Sequence, residues 1–103
     1  RVIDLIEQDY AAPLRAEDLA ATAGLSLAHF NRLFRQWTGA SPMRYLEARR
    51  VEVARQMLEH EGAAVHEVAR RCGFADPYHF SRVFKRVEGI SPTAFRAATL
   101  GKS

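Results

Sequence analysis

Apolar side chains recur every three or four residues along this chain, with polar ones filling the intervals. That spacing is helical; no stretch alternates with a period of two, and no run rich in Val, Ile and Thr marks a strand. The pattern predicts an all-α chain of seven helices. The first covers about 2–10, with Val2, Ile3, Ile6 and Tyr10 on one side, and Ala11-Ala12-Pro13 breaks it. The second covers about 16–23, turns Leu19, Ala20 and Ala23 inward, and stops at Gly24, where a left-handed backbone costs glycine little. Ser26 caps a third over about 27–38, whose Phe30, Leu33, Phe34 and Trp37 form one apolar stripe and core face. Gly39 ends it. Ser41-Pro42 opens the longest helix, about 42–60, with Tyr45, Leu46, Val53, Met57 and Leu58 on its buried side. After Gly62-Ala63-Ala64, a fifth helix covers about 65–72 with Val65, Val68 and Ala69 inward, and Gly73 ends it. Asp76-Pro77 opens a sixth over about 77–87, where Phe80, Val83, Phe84 and Val87 repeat the stripe of the third. Gly89 and Ser91-Pro92 lead into a seventh over about 92–98, and the last few residues are expected to fray.

The strongest feature is an internal repeat. Residues 29–42 read HFNRLFRQWTGASP and residues 79–92 read HFSRVFKRVEGISP, with seven of fourteen columns identical at an offset of 50. Upstream, Leu19-Ala20 with Gly24 mirrors Val68-Ala69 with Gly73, and the second copy has one extra residue after its glycine. In each copy a small Ala, a turn Gly and an apolar plug (Ala20, Gly24, Phe30; Ala69, Gly73, Phe80) carry the spacing of a helix-turn-helix, the second with that residue inserted. The chain is therefore expected to hold one unit over 1–40, a linker helix over 41–61 and a second unit over 62–103.

Charge sharpens this picture. The 103 residues carry a net charge of only +3, but residues 26–55 hold six Arg against two Glu, and residues 70–96 hold six Arg or Lys against two acids. Residues 1–25 and 56–69 are acidic. Two separated basic blocks suit a polyanion gripped at two places. Burying the third helix's stripe leaves Ala28, Asn31, Arg32 and Arg35 outward, with Ser26 at its start; Asn can pair with adenine, and Arg with guanine or phosphate. The sixth helix shows Pro77, Tyr78, Ser81, Arg82, Lys85 and Arg86. Asp76 is either a cap or an acceptor from cytosine, with the cap preferred. Ser41 and Ser91 stand at helix starts whose free N–H groups suit phosphate as well as ordinary capping. A linker helix of about 27 Å, against about 34–36 Å for one turn of B-DNA, would let the two units enter adjacent major-groove segments.

These residues resemble the AraC/XylS-type transcription regulators, most specifically over GFADPYHFSRVFKRVEGISPTAFR at residues 73–96. The resemblance covers nearly the whole chain. It implies that the third and sixth helices read DNA and the fourth links them. It also implies that Ala28, Asn31 and Arg32 face bases, and that Pro77, Tyr78, Ser81 and Arg82 lie at the duplex. The departures carry expectations of their own: a small Ala28 reads fewer bases, Pro77 and Tyr78 hold backbone more than bases, and Arg15 starts the second helix less firmly than Ser or Thr. Double-stranded DNA is the expected partner, with RNA polymerase, and with a sensing or dimerising domain ahead of a chain that opens on Arg1 and not Met. A bacterial cytoplasmic activator is the implied setting.

No cofactor or metal is expected, since no Cys/His cluster has zinc spacing, and no nucleophile–base pair or phosphate loop points to an enzyme. His29 and His79 suit packing or a phosphate contact; His60 and His66 read as surface residues. Cys72 reads as packing, although Arg70 and Arg71 could activate a thiolate. Arg49-Arg50 is open between a solvated face, a phosphate contact and a polymerase surface. The competing function is a helical module whose basic blocks bind acidic proteins.

Overall fold

The computed structural model describes residues 2–101. These form α1 (Val2–Gln8), α2 (Ala16–Ala23), α3 (Leu27–Thr38), α4 (Pro42–His60), α5 (Val65–Arg71), α6 (Pro77–Glu88) and α7 (Pro92–Gly101). No strand interrupts the described residues. α2, α3 and α4 have the bounds their capping residues predict. α1 ends two residues early, in a turn where the Ala12 N–H donates to the Asp9 carbonyl at 2.9 Å, so Tyr10 lies outside the helix. α7 runs on to Gly101, past the point where fraying was expected; residues 102 and 103 lie outside the described residues.

Local chemistry accounts for the ends. The Ser26 hydroxyl accepts from the His29 N–H at 3.2 Å, and the Asp76 carboxylate accepts from the Tyr78 N–H at 2.8 Å. Arg15 caps nothing with its side chain, but the Asp18 carboxylate reaches back to accept the Arg15 N–H at 3.2 Å. That bond is one half of a capping box; the half that a Ser or Thr hydroxyl would add is missing, as expected for Arg15.

The chain divides within α4 into two compact units, Arg1–Arg49 and Arg50–Ser103. In the first, Ile6, Leu19, Ala20, Phe30, Phe34 and Leu46 form the buried core, flanked by partly buried Val2, Ile3, Leu14, Leu25 and Tyr45. In the second, Val51, Ala54 and Leu58 of α4 pack with Val68, Ala69, Cys72, Phe74, Phe80, Val83 and Phe84. A ring from the helix that follows seals α3 and α6: Tyr45 stands edge-on to Phe34 at 5.4 Å, and Phe95 to Phe84 at 5.6 Å.

Three side chains expected inside lie outside. Trp37 is 81% exposed, Val87 is 43% exposed, and Ala23 is exposed. Periodicity carries each stripe to the end of its helix, but burial stops before the last turn. Trp37 instead rims an open apolar groove of about 530 Å³ with Val2, Ile3, Thr22, Leu25 and Leu33. Ala23 sits on the last turn of α2, just before the chain swings away at Gly24.

Candidate nucleic-acid interface

Two helix-turn-helix units are built on one backbone pattern. Gly24 takes φ +73°, its N–H donates to the Ala21 carbonyl at 3.0 Å, and the Leu25 N–H donates to the Ala20 carbonyl at 3.0 Å. Gly73 takes φ +99°, its N–H donates to the Arg70 carbonyl at 3.1 Å, and the Phe74 N–H donates to the Ala69 carbonyl at 3.0 Å. Both are Schellman turns, which need a left-handed residue and bury an apolar one just after it. That apolar residue is Leu25 in the first unit and Phe74, 3% exposed, in the second. The inserted residue therefore falls after the turn, at Ala75, and leaves the turn itself unchanged. Phe74 was not among the expected core residues, although aligning the two turn glycines would have found it.

The buried faces fix what the recognition helices present. Phe30 and Phe34 point inward on α3, so Ala28, Asn31, Arg32 and Arg35 are exposed. Phe80, Val83 and Phe84 point inward on α6, so Pro77, Tyr78, Arg82, Lys85 and Arg86 are exposed, while Ser81 is half-buried. Ser26 and Asp76 are occupied as caps. Ser41 and Ser91, both half-buried, cap α4 and α7 by accepting from the Arg44 and Ala94 N–H groups at 3.3 and 3.1 Å.

The basic side chains sort into two sets. Among the described residues, each one away from α3 and α6 is engaged: Arg15 with Glu17, Arg44 with Glu47, Arg49 with Glu7, Arg55 with Glu88, Arg70 with Glu67, Arg71 with Glu61, and Arg96 with the Leu58 and Glu61 carbonyls. Arg50 lies over the Phe74 ring at 5.6 Å. On the recognition helices Arg86 is engaged within the molecule, but Arg32, Arg35, Arg82 and Lys85 have no hydrogen bond, ion pair or ring contact among the described residues. Arg49 and Arg50 are thus both engaged inside their units.

The remaining candidates take structural places. His79 packs edge-on against Phe74 at 5.7 Å. His29 is half-buried, and His60 and His66 are exposed. Cys72 is fully buried, and burial pushes its thiol up to about 11, so Arg71 and Arg50 do not activate it. Arg70 holds the Glu67 carboxyl below the ordinary range through a side-chain hydrogen bond. Among the described residues no cluster of His, Cys, Asp or Glu could hold a metal ion, and no helix is long and apolar enough to cross a membrane.

Paired Schellman turns ahead of paired basic faces define a tandem helix-turn-helix domain. The helix-turn-helix domain family matches residues 19–98. The DNA-binding domain of AdpA, a global transcriptional factor solved in complex with a target DNA, is 38% identical, with a TM-score of 0.94 over 98% of this chain and 91% of that one. An AraC-type DNA-binding domain protein from Chromobacterium violaceum is 31% identical, with a TM-score of 0.85 over 95% of this chain and 88% of that one. The transcriptional activator RhaS of Klebsiella pneumoniae (strain 342) is 40% identical over 91 residues, which make up 88% of this chain and 33% of RhaS. The chain belongs to the AraC/XylS-type helix-turn-helix domains. It spans about a third of the length of the curated relatives it matches. The family is one of transcription-factor DNA-binding domains and not of enzymes.

Proposed function

We propose that this domain binds double-stranded DNA sequence-specifically within a bacterial transcription regulator, with α3 and α6 entering adjacent major-groove segments. The observation that carries the reading is the division of the cations. Arg32, Arg35, Arg82 and Lys85 are the described basic side chains without an intramolecular partner, and all four sit on recognition helices. A charge left unpaired on a folded surface is available to phosphate or to a base edge.

In this reading Arg32 and Arg82 read bases with Asn31, while Arg35, Lys85 and Arg86 hold phosphates. Ala28, Pro77, Tyr78 and Ser81 shape the contact, and Ser26, Ser41 and Ser91 add backbone donors at helix starts. α4, at 19 residues about 28 Å long, contributes to both units and supports reading of one asymmetric site. The regulator is an activator that works in the cytoplasm with RNA polymerase and carries a sensing or dimerising domain elsewhere in its chain. AdpA bound to DNA and the activator RhaS support this by analogy.

Selection from a random duplex pool tests it. The reading expects one enriched site of about two helical turns, bound with an affinity that falls steeply with salt. Equal binding of all duplexes, with tight capture of an acidic protein instead, would overturn it.

A further inference from the structure

Each unit contains an arginine that neither its repeat position nor its charge would single out. In the first unit Arg49, four residues or about one turn after Tyr45, donates from Nη2 to the Glu7 carbonyl at 3.5 Å, and its Nε forms an ion pair with the Glu7 carboxylate at 3.4 Å. Glu7 belongs to the last turn of α1, where carbonyls lack helical partners. In the second unit Arg96 donates from Nε to the Leu58 carbonyl at 3.4 Å and from Nη2 to the Glu61 carbonyl at 3.2 Å. Leu58 lies in the last turn of α4, and Glu61 is the residue just past its end. Arg71 binds the Glu61 carboxylate at 2.8 Å and steadies the same corner.

The two arginines are not repeat equivalents. At the offset of 50 that superimposes the recognition helices, Arg96 pairs with buried Leu46, and Arg49 lies one turn further along its helix. Two different positions have arrived at one contact, which argues that the contact and not the residue position is what each unit requires.

The helix bearing each arginine also bears the ring that seals the recognition helix. Tyr45 and Arg49 share α4; Phe95 and Arg96 share α7. One attachment grips the recognition helix through Phe34 or Phe84, and the other grips the end of the unit's first helix. We infer that Arg49 and Arg96 are positioning residues that set the roll of α3 and α6, and so the register of the DNA-reading side chains. The inference rests on the DNA-binding reading above. Guanidinium suits the task because its fork reaches two acceptors at once, by two hydrogen bonds at Arg96 and by a hydrogen bond and an ion pair at Arg49, which a single ammonium does not reproduce at these positions.

The test uses Arg49→Lys and Arg96→Lys, which keep the charge, in the whole chain. Binding is measured on the selected duplex and on a scrambled duplex, with footprints; the two half-sites are assigned by the losses in Arg32→Ala and Arg82→Ala. Arg96→Lys is expected to weaken binding to the selected duplex about tenfold, equivalent to about 1.4 kcal/mol. It should leave the scrambled duplex unchanged and fade only the half protected by α6. Arg49→Lys should do the same to the α3 half. Arg49→Met and Arg96→Met, folded by circular dichroism, should show the same pattern more strongly. Equal losses on both duplexes, or a lowered melting temperature with discrimination intact, would overturn the inference alone. A wild-type chain that prefers no duplex would overturn the DNA-binding reading and this inference with it.

Discussion

Phe34 and Trp37 lie one turn apart on the same apolar stripe of α3, and periodicity alone makes them equal. The structure separates them: Phe34 is 3% exposed, with rings at 5.5 and 5.4 Å from Phe30 and Tyr45, whereas Trp37 is 81% exposed on the rim of an open groove. Truncating a buried Phe to Ala loses its transfer free energy and leaves a cavity, together about 3–5 kcal/mol. Truncating an exposed side chain usually changes stability by about 0.5 kcal/mol or less. Against a total stability of about 5–15 kcal/mol, Phe34→Ala removes a large share and Trp37→Ala almost none. Urea unfolding followed by far-ultraviolet circular dichroism measures both. Trp37 is the one tryptophan in the chain, so fluorescence gives an independent check: its emission should be water-like and readily quenched in the native state. A loss of about 3 kcal/mol in Trp37→Ala, or a shielded native emission, would refute the assignment of the stripe's last turn to solvent.

Three further outcomes follow from the same geometry. Arg32→Ala and Arg82→Ala should each weaken binding to the selected duplex by about 1–3 kcal/mol, while Arg70→Ala, whose partner is Glu67 on α5, should change it little; equal effects from all three in a binding titration would show that charge alone matters. Asp76→Ala should cost about 1 kcal/mol of stability, and Asp76→Asn should restore most of it without altering the selected sequence; an altered sequence would make Asp76 a base reader. The folded chain holds the Cys72 proton more tightly than the unfolded chain, so stability is full below the ordinary thiol value of 9.0 and declines as pH rises through about 11. A thiol reagent at pH 8 should accordingly label Cys72 only on denaturation, and rapid labelling of the native chain would contradict its burial.

The amino-acid order by itself determined where each helix begins and where α2, α3 and α4 end, because caps and turn glycines act within a single turn of chain. Ser26, Asp76, Gly24 and Gly73 each satisfy backbone groups two or three residues away, and those choices are written locally. The repeat at an offset of 50 added the pairing of the two units, and the stripes Phe30–Phe34 and Phe80–Phe84 set which face of each recognition helix turns outward. Only the tertiary structure decided how far each stripe is covered, because burial depends on the length and placement of other helices. That is why Trp37, Val87 and Ala23 are outside, while Val51 and Ala54, absent from the expected core, are inside. The same holds for charge. Arg49 and Arg96 find acceptors 42 and 38 residues away in sequence, and no local pattern distinguishes them from Arg32 and Arg82, which the fold leaves free for a ligand.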